Sequence, residues 1–214
     1  MYVPPHFAET RIDVIHRRIA DHPLAVLVTF GADGLEANHL PLELDPEPAP
    51  LGRLIGHVSR ANPVWREFSR EVEALAVFQG PDRYITPAWY PTKQESGKVV
   101  PTWNYAVVHA YGPLRIIEDP GWLRALVERL TNRHEAHRTA PWQVTDAPAE
   151  YIEAQLRGIV GIEIPISRLT GKWKVSQNRG AADRQGVVQG LGALPDPEAA
   201  AMAALVRRPD TPAT

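Results

Sequence analysis

Apolar and polar positions change period several times along the 214-residue chain, and each change marks an element. Ile12, Ile15 and Ile19 recur at helical spacing behind the capping pair Thr10 and Asp13, predicting a helix that stops near His22-Pro23. Residues 24–30 form a dense apolar run, expected to be a strand buried on both faces. Gly31 to Gly34 reads as a turn, and residues 35–44 as the partner strand. After a proline-rich loop, residues 51–58 predict another strand. Asn62-Pro63 then start a helix running to about Arg70. Strands are expected at 74–79, 83–89 and 98–117, with a Gly80-Pro81 turn and a polar turn at 93–97 between them. Helices follow from Asp119-Pro120 to about His134 and from Asp146 to Leu156. A late strand at 159–166, an extended Lys172-Trp173-Lys174, a helix from Ala181 and an alanine-rich surface helix at 198–206 complete the pattern. Six or seven strands with helices at their edges predict a mainly β, α+β fold, a barrel with helical additions rather than alternating βαβ units.

Composition narrows this picture. The hydrophobic share of 44% and charged share of 22% suit one globular domain, expected over 1–192, with a helix and flexible tail over 193–214. A net charge of −2 supplies no global field toward nucleic acid or an anionic membrane, so any anion site must be local. The absence of cysteine excludes disulfides, thiolate nucleophiles and cysteine-ligated metals, and suits a reducing compartment. The start Met1-Tyr2-Val3-Pro4-Pro5-His6 has no secretory pattern, and no apolar run reaches the roughly 20 residues of a membrane span. A cytoplasmic location is therefore expected.

Three segments carry candidate chemistry. In Gly56-His57-Val58-Ser59-Arg60-Ala61-Asn62-Pro63 a strand runs through a hydroxyl-and-arginine turn into a helix start, an arrangement that can receive a phosphate. The alternative is that Asn62 only caps the helix and Arg60 only pairs with a surface carboxylate. In the second segment Trp103 and Tyr105 lie two apart, hence on one strand face, with Asn104 on the other. Such a face can hold a flat heterocycle, or simply pack a core. In the third, Lys172 and Lys174 flank Trp173, so both ammonium groups point one way, ahead of the donors Ser176, Gln177, Asn178 and Arg179. His134-Glu135-Ala136-His137 lacks the spacing of a zinc-protease helix. No dinucleotide, P-loop or nucleophile-elbow motif occurs, no metal set is visible, and no catalytic residue can be named.

With these residues in view, the chain resembles the PaiB family, described as FMN-binding negative transcriptional regulators. The resemblance rests on Met1 to Phe7, Gly56-His57 through Trp65, Tyr84-Ile85-Thr86-Pro87-Ala88-Trp89-Tyr90, Gly97 through Tyr105, and Gly171-Lys172-Trp173-Lys174 through Asn178-Arg179. It implies an FMN-binding split β-barrel of the pyridoxamine-phosphate-oxidase type, and a homodimer. It also implies that Ser59 and Arg60 face the phosphate, with His57 and Asn62 beside them in the cofactor site, and that Trp103, Asn104, Tyr105, Lys172, Lys174, Gln177, Asn178 and Arg179 line the ring or the partner wall.

Two other functions compete with a flavin-binding, redox-linked regulator. One is a DNA-binding repressor without redox activity, but a pI near 6.4, interspersed acids and the lack of a helix-turn-helix give DNA contact no support. The other is a haem-binding split barrel, with His57 or His109 as the iron ligand.

Overall fold

The isoleucine spacing behind Thr10 becomes α1 (Ile12–Asp21), with Ile15 and Ile19 buried. It ends ahead of Pro23, which disfavours helical backbone in the residue before it. The coordinates are a computed structural model describing residues 1–207, so 208–214, part of the expected tail, lies outside the described residues.

β2 (Leu24–Gly31) and β3 (Gly34–Pro41) form the expected hairpin, in register from Leu24 opposite Pro41 to Gly31 opposite Gly34. β2 is not buried on both faces: Ala25 and Leu27 are buried, whereas Leu24 and Phe30 are exposed, as in an antiparallel strand with one wet face. The expected partner strand also stops early. Leu42 is buried and donates its backbone N–H to the carbonyl of Pro23, and β4 (Glu43–Asp45) then pairs with β5 (Arg53–Ser59). The helix expected to reach Arg70 is one turn only, α2 (Val64–Glu67), because Phe68 returns to extended backbone and bridges to Gly31.

The largest departure is β6 (Ala74–Ile85), one strand of 12 residues where two strands and a Gly80-Pro81 turn were expected. Proline's fixed φ is compatible with extended backbone, and it is tolerated where the strand needs no ladder donor. Gly80 allows close approach to the carbonyl of Ala106, which would lie 3.0 Å from a Cβ there. The strand expected to continue to Trp89 gives way to a short 3₁₀ turn, Pro87–Trp89, in which the Thr86 hydroxyl accepts from the Ala88 amide. The expected polar turn is a short helix, α3 (Thr92–Ser96). The run at 98–117 divides at Pro113 into β7 (Thr102–Gly112) and β8 (Arg115–Ile117).

α4 (Pro120–Glu135) begins at Asp119, whose carboxylate accepts from the Trp122 amide at 2.6 Å, and packs Leu123 against Ile152 and Leu156 of α5 (Ala149–Arg157). β9 (Ile159–Pro165), β10 (Arg168–Lys174), α6 (Ala181–Gly192) and α7 (Pro197–Arg207) follow. α7 is not a surface helix: Ala199, Met202 and Ala203 are buried.

The chain forms two compact units. The first comprises Met1–Arg18, Gln79–Val108 and the chain from Thr170. With β1 (Ala8–Glu9), its strands neighbour in the order β1-β10-β7-β6, and α6 packs on α7. The second comprises Ile19–Phe78 and His109–Leu169, with strand runs β6-β2-β3 and β4-β5-β9-β8. None of these runs closes on itself, so the molecule is α+β with open sheets, the expected split-barrel class.

Candidate cofactor site

In the first unit the period-two alternation of β7 governs which side chains are available. Trp103 is 54% exposed, Tyr105 is half-buried and Asn104 is 1% exposed, so the aromatic pair and the amide do lie on opposite faces. Asn104 turns inward and donates Nδ2–H to Ser176 Oγ at 2.9 Å. That bond holds a serine with φ of 64°, a left-handed conformation that costs on the order of 1 kcal/mol for a residue with a Cβ. The turn so pinned carries Gln177, Asn178 and Arg179. Gln177 spends both ends of its amide on its own strand end, accepting from the Val175 amide at 2.7 Å and donating to the Trp173 carbonyl. Asn178 is exposed.

β10 is an interior strand of this unit, between β1 and β7, so its lysines are not those of a solvated edge. Lys172 is 9% exposed, donates to the Tyr2 carbonyl at 3.1 Å and lies 5.2 Å from the Tyr105 ring. Lys174 donates to Thr102 Oγ1 and, at 2.8 Å, to the Trp103 carbonyl, and lies 6.0 Å from the same ring. Burial holds Lys174 below the usual lysine range, helped by the charges of Lys172 and Arg179 and opposed by Tyr105. Arg179 sits 4.7 Å from the Tyr90 ring.

The segment around Ser59 belongs to the second unit. Arg60 donates to Glu118 at 2.7 Å, to the Arg157 carbonyl at 3.0 Å and to the Ile159 carbonyl at 3.3 Å. Asn62 accepts from the Val64 amide at 2.9 Å and donates to Asn38 at 2.7 Å. The alternative weighed for both residues, a surface ion pair and a local cap, is thus present in these bonds. Ser59 Oγ accepts from the Ala61 amide at 3.2 Å, and its side chain faces solvent. His57 Nδ1 is buried without a hydrogen-bond partner among the described residues, and burial lowers the pKa of this ring and of His109. A groove of about 690 Å³ beside Arg60 is lined by Arg124 and Arg157, with Leu123 and Leu156.

Four contributors were named in the sequence only as members of longer segments. The Tyr2 carbonyl and Thr102 hydroxyl anchor the two lysines, Tyr84 meets Trp103 edge to face at 6.0 Å, and Tyr90 backs Arg179. The Tyr84–Trp103 contact follows from β6 running beside β7, and that neighbour was hidden by the Gly-Pro pair read as a turn. Lys174 to Thr102 spans 72 residues, and no local pattern signals it.

FMN is a flat heterocycle on a phosphorylated chain. The donor set of the first unit fits it: exposed aromatic rings, a free amide, and Lys172, Lys174 and Arg179, none of which makes an ion pair among the described residues. Among the described residues no helix is long and apolar enough to cross a membrane, and no group of three His, Asp or Glu could hold a metal.

Comparison with known proteins gives the family and its cofactor. The model of the family described as "Putative FMN-binding domain" matches residues 1–168. The chain is 33% identical to "Protease synthase and sporulation protein PAI 2" of Bacillus subtilis, over 96% of this chain and 96% of the relative. It is 36% identical to "Uncharacterized protein AN0679" of Emericella nidulans, over 97% and 96% respectively. Among solved structures, the FAD and haem binding protein of Mycobacterium smegmatis superposes with a TM-score of 0.57 at 14% identity, covering 78% of this chain and 73% of that one, a likeness of fold. The chain belongs to this FMN-binding domain family, of which the PaiB proteins are part, and its cofactor is FMN.

Proposed function

We propose that the chain is an FMN-dependent, redox-linked negative regulator that acts as a homodimer and does not grip DNA on its own. The observation that carries the reading is the first unit's face of Trp103 and Tyr105 beside Lys172 and Lys174. Trp103 and Tyr105 would hold the ring by stacking, and Asn178 would supply an edge hydrogen bond. Lys172, Lys174 and Arg179 would answer the ligand's negative charge. Asn104 and Gln177 fix the backbone that presents these groups. In the second unit Ser59 retains a hydroxyl for phosphate, whereas Arg60 would have to exchange partners to reach one. When bound, FMN supplies reversible electron transfer.

The regulatory part is supported by the Bacillus relative, whose name links it to protease synthesis and sporulation. Against direct operator binding stand the net charge of −2 and the commitment of Lys172, Lys174 and Arg179 to the aromatic face.

Flavin-fluorescence titration tests the placement. Trp103→Ala should weaken FMN binding about tenfold, since losing one stacking face costs roughly 1–3 kcal/mol. Lys93→Ala, on exposed α3, should bind like the wild type. Equal affinities for all three proteins would remove the flavin from this face.

A further inference from the structure

We propose that the cation cluster of the first unit makes this chain bind reduced FMN more tightly than oxidised FMN, so that its flavin site discriminates redox state. The inference rests on the flavin reading above. Lys172 is buried, yet among the described residues its ammonium meets only the Tyr2 carbonyl and the faces of Tyr2 and Tyr105, at 6.0 and 5.2 Å. Lys174 meets a hydroxyl, a carbonyl and the Tyr105 ring, and Arg179 the Tyr90 ring. None of the three is ion-paired among the described residues. Other arginines of the chain are: Arg53 pairs with Asp45 and Glu163, and Arg83 with Asp196 and Glu198.

Taking cations out of water is costly, and carbonyl dipoles and ring faces offset it only in part. Mutual repulsion adds to the cost, in the direction that lowers the Lys174 pKa. An anionic ligand supplies the missing countercharge. FMN carries its phosphate in both oxidation states, so that contribution largely cancels between them. The ring differs. Oxidised, it is neutral; a hydride (two electrons and one proton) from a donor of the reduced-nicotinamide class leaves the ring with one negative charge and the donor oxidised. Lys174 is bonded to the carbonyl of Trp103, the aromatic residue proposed to hold that ring, so a ring held there would carry its new charge beside these cations. By linkage, tighter binding of the reduced form is the same quantity as a raised reduction potential of the bound flavin. Each tenfold preference reads as about 30 mV for a two-electron couple.

The test is the midpoint potential of bound FMN, by dithionite titration against a reference dye, for the wild type, Lys172→Met, Lys174→Met and Lys93→Met. A fluorescence titration with oxidised FMN first establishes binding in each. The wild-type potential should lie at least about 30 mV above that of free FMN, a tenfold preference. Lys174→Met should fall toward the free value, Lys174→Arg should restore it, and Lys93→Met should match the wild type. Should the buried Lys172→Met fail to fold, the half-buried Lys174 still decides the matter. A bound potential at or below that of free FMN, or a Lys174→Met value equal to the wild type's, would overturn the proposal. No binding of oxidised FMN to the wild type would instead overturn the flavin reading on which it rests.

Discussion

Asn104 shows how far single residues can be read. Strand alternation made legible that it lies on the face opposite Trp103 and Tyr105, but not that this face turns inward, and its partner Ser176 is 72 residues away with no local pattern to announce it. An amide that looked available to a ligand is spent on backbone geometry. Arg60 teaches the same lesson, because Glu118 and the carbonyls of Arg157 and Ile159 come from distant segments. Charge placement also sets an acid limit on stability. Burial pushes the Asp45 pKa up, but hydrogen bonds from Arg53 and the Glu47 amide, with the charges of Arg53 and Arg129, outweigh it and hold the carboxyl below its usual range. A depressed folded-state pKa contributes stability that is present above the unfolded value, near 3.9, and is lost as pH falls through the folded one. Asp45→Asn should cost roughly 1–2 kcal/mol near pH 7. Its deficit should shrink below about pH 4, as denaturant melts across pH would show; a pH-independent deficit would contradict this linkage.

At the scale of elements, long periodic segments were the legible ones: α1, the β2–β3 hairpin, α4 and β9 all lie where the apolar pattern placed them. Proline and glycine misled in both directions. Gly80-Pro81 sits inside a continuous strand, whereas Pro113 does divide an expected one. Other glycines record packing rather than turns. Gly186 and Gly190, one turn apart on α6, form a seat for Trp89, with the Trp89 carbonyl against the first and its indole against the second. A methyl group at Gly190 would meet the ring core, which cannot swing aside as a flexible chain end could. Gly190→Ala should therefore destabilise by about 1–3 kcal/mol, although alanine is the better helix former by roughly 1 kcal/mol. Gly192→Ala, with open space around its Cβ, should be neutral or stabilising. Thermal unfolding of the two variants checks this; a Gly190→Ala protein as stable as Gly192→Ala would mean that Trp89 does not occupy the seat.

For the whole molecule, fold class and cofactor were both within reach of the sequence, the first from strand density with helices at the margins, the second from blocks shared with a known family. The division into two units was not, because each is assembled from separated stretches, and β6 and β7 each contribute to both. FMN as the cofactor and the proposed dimer around its site stand or fall in solution. One chromatographic run with in-line absorbance and light scattering on FMN-loaded protein tests both most directly. A single peak at twice the chain mass of 23.7 kDa is expected, absorbing near ~450 nm, with one FMN released per chain. A peak near ~410 nm would indicate haem, and a colourless peak would contradict the flavin assignment outright. A stable monomer retaining FMN would contradict the dimer.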